Sequence, residues 1–141
     1  MPLVRISLHD GKPEPYRTAI SNEVYQAMRQ TLDIPDGDRF QVITEHNGAQ
    51  LVADPHFMGM KRSADFVLIQ IFLSRGRTTA IKQALYRSIA ERLAISPGIQ
   101  PDDVMIVLTE VGLDDWSFGR GEAQYVLRPP GWATNKEKLS A

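Results

Sequence analysis

The sequence contains no cysteine, which excludes disulfides and thiolate metal sites and fits a reducing, cytoplasmic setting. An excess of charge is missing too: 16 Lys and Arg oppose 17 Asp and Glu, for a formal charge of −1. No global field therefore favours nucleic acid or an anionic membrane, and any anion site has to be local. Long hydrophobic runs are also absent. The longest, 66–73, is interrupted by Gln70 and falls well short of the ~20 residues that a membrane helix needs. The opening residues, Met1 to Leu8, carry neither a basic leader nor an apolar stretch long enough for a signal peptide, so nothing in them directs export. The three histidines, His9, His46 and His56, show no ligand spacing and nominate no metal site.

What the sequence does contain is an internal repeat. Ala19, Ile20, Tyr25, Leu32 and Ile34 recur in register as Ala80, Ile81, Tyr86, Leu93 and Ile95, an offset of 61 residues (80 − 19). Apolar residues in each copy follow a helical period: Ile20, Val24, Ala27, Met28 and Leu32, then Ile81, Ala84, Leu85, Ile89 and Leu93. The first helix is expected to start near Pro15 and the second to be capped by Thr78 or Thr79. Strands are expected at 3–8 and 40–46 around the first helix, and at 66–74 and 104–111 around the second. The chain thus reads as β-α-β twice, an α+β (α/β sandwich) fold with a four-stranded sheet and both helices on one face. At 141 residues it forms a single domain over 1–128, with repeat halves at about 2–46 and 65–112 and a C-terminal tail over 129–141 whose end is expected to be mobile. The segment from Asn47 to Arg62 is a long connection with room for a short hairpin. Strands 66–73 and 104–108 are nearly continuous apolar runs, as expected when both faces are buried. Two helices cover only one face, so other subunits are expected on the second.

Four sets of residues are candidates for chemistry. Pro2 stands at the start of the first strand, at the edge of a duplicated unit, and its small size permits removal of Met1. The exposed secondary amine would act as base, acid or nucleophile. Arg75 and Arg77 flank Gly76 between a buried strand and a helix N-terminus; two apart in extended chain, they point the same way and can converge on one anion. Their planar forks suit a carboxylate. Asp38 lies in the loop Ile34-Pro35-Asp36-Gly37-Asp38, where turn preference alone would explain it. Trp116-Ser117-Phe118-Gly119-Arg120-Gly121, with Tyr125 following, reads as a pocket wall, a lid or a subunit contact.

These residues together resemble the tautomerase superfamily, and within it the malonate semialdehyde decarboxylases. The likeness runs from Pro2 to about Leu127 and is carried by Met1-Pro2-Leu3, Asp38-Arg39-Phe40 with His46, Arg62-Ser63, Ser74-Arg75-Gly76-Arg77 and Asp115 through Gly121. It implies a catalytic Pro2 amine with Asp38 beside it, Arg75 and Arg77 as ligands of a small carboxylate substrate, and an apolar wall of Trp116, Phe118 and Tyr125. Tyr125 stands where the decarboxylases would carry phenylalanine. The resemblance further implies a homotrimer and chemistry without a cofactor: decarboxylation of a small 3-oxo acid, or keto–enol tautomerisation or hydration of small unsaturated or 2-oxo acids. The reading from another class is a non-catalytic, ferredoxin-like assembly module, since this fold hosts many functions.

Overall fold

A computed structural model describes residues 2–133; Met1 and residues 134–141, with the fate of Met1 and the expected mobile end of the tail, lie outside the described residues. The elements follow in the order β1 (Leu3–His9), α1 (Glu14–Leu32), β2 (Phe40–His46), β3 (Val67–Ser74), α2 (Thr79–Ile95), β4 (Val104–Val111) and a short α3 (Gln124–Leu127). The sheet order is β2-β1-β3-β4. β1 pairs parallel with β2, β3 parallel with β4, and β1 antiparallel with β3. The two repeat halves are thus joined back to back through their first strands. β1, expected at the edge of a unit, is an inner strand of the complete sheet, because each half offers its first strand as the joining edge.

Both helices form where the apolar spacing predicts. Ile20, Val24, Ala27, Met28 and Leu32 of α1 are buried, as are Leu85, Ile89 and Leu93 of α2. Pro15 falls in the first turn of α1, where its missing N–H costs nothing, and the helix ends at Asp33 in the left-handed region (φ 52°). At α2 the Thr78 side chain accepts a hydrogen bond from the Ile81 amide at 3.2 Å. Both helices pack on the sheet face formed by Val4, Ile6 and Leu8 of β1 and Val67, Ile69, Ile71 and Leu73 of β3. Complete burial of a leucine or isoleucine there contributes roughly 1.5–3 kcal/mol relative to exposure.

The opposite sheet face is open. Register places Leu3 between Phe40 and Phe72, and Arg5 between Val42 and Gln70. Phe40, Val42, Met105 and Val107 are each at least 40% exposed, whereas the alternate residues of the inner strands β1 and β3 that face the helices are buried.

The long connection 47–62 contains no hairpin. It is a series of turns with one 3-10 turn at Phe57–Gly59, its path broken by Pro55, which lacks a ladder donor, and by Gly59 at positive φ (76°). Its end is fastened to the turn before β4 by Asp103, wholly buried, which accepts from the Ser63 amide (2.7 Å), the Ser63 hydroxyl (2.6 Å) and the Gln100 side chain (2.9 Å).

Candidate active site

Strand directions decide where the chemistry gathers. β1 and β2 begin, and β3 and β4 end, at the same end of the sheet. Pro2 precedes β1, Asp38 precedes β2, Arg75 and Arg77 follow β3, and the aromatic segment follows β4. Four stretches far apart in sequence are brought together by topology alone.

At this end lies an open cleft of about 540 Å³, lined by Asp38, Arg75, Arg77, Tyr125 and Trp132, with apolar walls from the C-terminal end of α1 and from Ile81. Its volume is in the range of small-molecule sites. Both arginines therefore face one space, as their spacing predicts. They differ in setting: Arg75 is exposed and Arg77 half-buried. The Arg75 amide donates to the Val111 carbonyl at 3.0 Å, which ties the arginine loop to the end of β4. The Arg77 guanidinium donates to the Ser74 carbonyl at 2.8 Å, leaving its remaining donors for the cleft.

The loop carrying Asp38 is held by Tyr25. The Tyr25 hydroxyl accepts from the Gly37 amide at 3.2 Å and donates to Asp36 at 3.4 Å, and Arg39 lies over the Tyr25 ring at 4.8 Å while donating to Ser21 and Asn22. The repeated tyrosine is thus a loop anchor in the first half.

Burial raises the Asp38 carboxyl above its ordinary value, while the positive chain terminus and Arg77 pull it back down. Burial likewise lowers Arg77, opposed by Tyr125, Glu110 and Asp38. Tyr125 is raised, first by burial and then by Asp38, so its hydroxyl stays neutral and able to donate. Arg77 and Asp38 bias each other's charge, and both act on Tyr125.

Pro2 is buried at the head of the central strand and does not line the cleft. Continuing the β1 register one step sets it level with Arg39 and Leu73, within the same sheet end. Trp116 and Phe118 stand behind Tyr125: their rings stack at 5.6 Å, Phe118 meets Tyr125 edge-on at 4.8 Å, and the Trp116 indole donates to buried Ser74 at 3.2 Å. Of the expected aromatic wall, Tyr125 reaches the cleft, backed by the other two. Sequence reasoning missed Trp132. Its signal was the run Pro129-Pro130-Gly131, turn chemistry able to return a large aromatic to the domain.

Among the described residues no group of three or more His, Asp or Glu could hold a metal, and no helix is long and apolar enough to cross a membrane.

Two family models, each described as tautomerase enzyme, match residues 38–119 and 2–61. The chain belongs to the tautomerase family. A curated relative, the probable tautomerase YusQ of Bacillus subtilis (strain 168), is 36% identical over 89% of this chain and 99% of its own. Among solved structures, FG41 malonate semialdehyde decarboxylase inhibited by 3-bromopropiolate is 39% identical, covering 92% of this tautomerase and 98% of that chain with a TM-score of 0.85. A malonate semialdehyde decarboxylase, in a structure reported as a basis for decarboxylase and hydratase activities, is 30% identical with a TM-score of 0.83, covering 89% and 96%. The tautomerase family thereby accounts for the fold and its four-stranded mixed sheet.

Proposed function

We propose that this tautomerase decarboxylates a small 3-oxo acid such as malonate semialdehyde, using the Pro2 amine once Met1 has been removed. The observation that carries this reading is the half-buried Arg77 guanidinium, opening with Arg75 onto a cleft that also holds Asp38 and Tyr125. The arginines orient the carboxylate by charge-assisted hydrogen bonds. The bond between the carboxylate carbon and the adjacent methylene then breaks, carbon dioxide leaves, and the electron pair moves toward the carbonyl as an enolate. A protonated Pro2 amine stabilises the developing negative charge on that carbonyl oxygen, and a proton returned to carbon completes acetaldehyde. Apolar cleft walls favour the step, because a charged carboxylate becomes a neutral product.

Keto–enol tautomerisation or addition of water is the second reading, favoured by Asp38. A carboxyl raised above its ordinary value by burial holds its proton more readily than an exposed one, as a group that passes protons to and from substrate must. YusQ, named a probable tautomerase, and the decarboxylase described with a hydratase activity lie on the same side.

Assembly as a homotrimer, as the resemblance implies, would cover the open face around Phe40, Val42, Met105 and Val107. Sedimentation showing a stable 15.8 kDa monomer at micromolar concentration would count against it. Function is tested by incubating the mature protein with malonate semialdehyde, phenylpyruvate and short unsaturated acids and following each by proton NMR. Acetaldehyde formation supports the decarboxylase, enol or hydrated products the second reading, and inertness toward all of them a non-catalytic module.

A further inference from the structure

Arg77 has one face already occupied. The Trp132 ring lies 5.8 Å from its guanidinium carbon, within the reach of a cation–π contact, and both side chains line the cleft. Trp132 arrives from the C-terminal segment, beyond the two β-α-β units and beyond the stretch that the resemblance covers. The other tryptophan is placed differently: the Trp116 indole is engaged with Ser74, its ring is stacked on Phe118, and it does not border the cleft.

We propose that Trp132 is a substrate-binding residue, the aromatic cover of the Arg77 carboxylate site, and that the stretch 130–132 is therefore a working part of the cleft. An indole on one face of the guanidinium leaves its plane free, and the N–H groups not committed to Ser74 form the edge from which a carboxylate is held by two parallel hydrogen bonds. It also keeps water from that face and lays an apolar surface beside the carbon chain of the bound acid. The contact strengthens as water is displaced, so it matters more with substrate bound than without. The inference rests on the carboxylate-binding reading of the same cleft and is independent of which reaction follows.

The chain has only two tryptophans, which makes the test direct. Malonate, an unreactive three-carbon dicarboxylate, is titrated into the mature protein, with calorimetry for affinity and indole emission for position. In Trp116→Phe, which keeps Trp132, emission should change with saturation by malonate; in Trp132→Phe, which keeps Trp116, the change should largely vanish while affinity stays within about twofold. Trp132→Ala should weaken malonate about three- to tenfold, the range expected for one cation–π contact, and raise KM for any active acid more than it lowers kcat. Trp132 is 40% exposed and outside the core, so these variants should keep the melting temperature of the unaltered chain. Emission that follows Trp116 alone, unchanged malonate affinity in Trp132→Ala, or no malonate binding to the unaltered chain would each overturn the proposal. If Trp132 reports malonate and no 3-oxo acid is decarboxylated, the decarboxylase reading fails and this one stands. If decarboxylation proceeds while Trp132 is silent, only this inference fails.

Discussion

Replacing each arginine singly separates a carboxylate site from two solvated loop residues, and the two replacements should not cost the same. Arg77 is half-buried, anchored on the Ser74 carbonyl and flanked by Trp132. Truncating one partner of a desolvated charge pair costs about 2–5 kcal/mol. Partial exposure places Arg77→Ala toward the lower part of that range, about 2–4 kcal/mol, which is roughly 30- to 1000-fold in kcat/KM. Arg75 is exposed, where a charge contact is screened and contributes about 0.5–1 kcal/mol, so Arg75→Ala should lose only about two- to fivefold. Arg77→Lys keeps the charge and loses the fork, and belongs between the two. The assay is kcat/KM on the best acid found by NMR, with malonate affinity as a check that the loss lies in binding. A larger loss in Arg75→Ala than in Arg77→Ala would refute the assignment of roles, and unchanged kinetics in both would return the arginines to the surface.

Three other outcomes follow from the same structure. Burial raises Asp38, so its contribution to stability is complete below the ordinary carboxylate value and is lost as pH rises through the raised folded value; urea unfolding across that window should show this decline flattened in Asp38→Asn, and an identical pH profile would contradict the burial argument. Asp103→Asn sets an amide donor against at least one of the three donors that Asp103 now accepts from, at a cost of about 1–3 kcal/mol in unfolding free energy with little change in the cleft; an unchanged urea midpoint would show that this anchor contributes nothing. For the N-terminus, intact mass of the active protein should lack Met1, and 3-bromopropiolate, which inhibits the similar FG41 decarboxylase, should add to the chain at Pro2 and stop turnover; full activity with a blocked N-terminus would end the proline mechanism.

How far the sequence carried this reading depended on how local each signal was. The helices were legible because Ile20, Val24, Met28 and Leu32, or Leu85, Ile89 and Leu93, encode one face at a fixed period, and Thr78 marks its own cap. Strands β2 and β4 were placed correctly from their flanking turns. The sheet order was not encoded locally: nothing near Leu3 says that β1, the edge strand of its own half, pairs with β3 and so becomes an inner strand of the whole sheet. The cleft was half legible. Arg75 and Arg77 are two apart, and their convergence follows from extended geometry. Tyr125 and Trp132 reach the cleft, whereas Trp116 and Phe118 do not, because the path of the chain after β4 is set by contacts such as Trp116 with Ser74 that no spacing rule reports.

The arrangement makes the proton on Pro2 the quantity that divides the competing reactions. On the proposed reading, removal of Met1 exposes a secondary amine at the sheet end where Asp38 precedes β2. Arg75 and Arg77 disfavour a charged amine and Asp38 favours it, but these influences change unequally as the cleft fills. A bound carboxylate cancels arginine charge, which removes the opposition and leaves Asp38 to hold the proton on the amine. Substrate binding therefore raises the amine's affinity for its proton, the state that decarboxylation requires. An acid bound with its carboxylate away from Arg77 leaves the amine under the arginines' field, more readily neutral and able to accept a proton as tautomerisation requires. The pH dependence of kcat should then extend to higher pH than that of kcat/KM for a 3-oxo acid, since the first reports the loaded site and the second the free one. Both profiles are measured on the same protein with one substrate. Coincident alkaline limbs would mean that the carboxylate does not tune Pro2, and the coupling between Arg77 and the N-terminal amine would have to be abandoned.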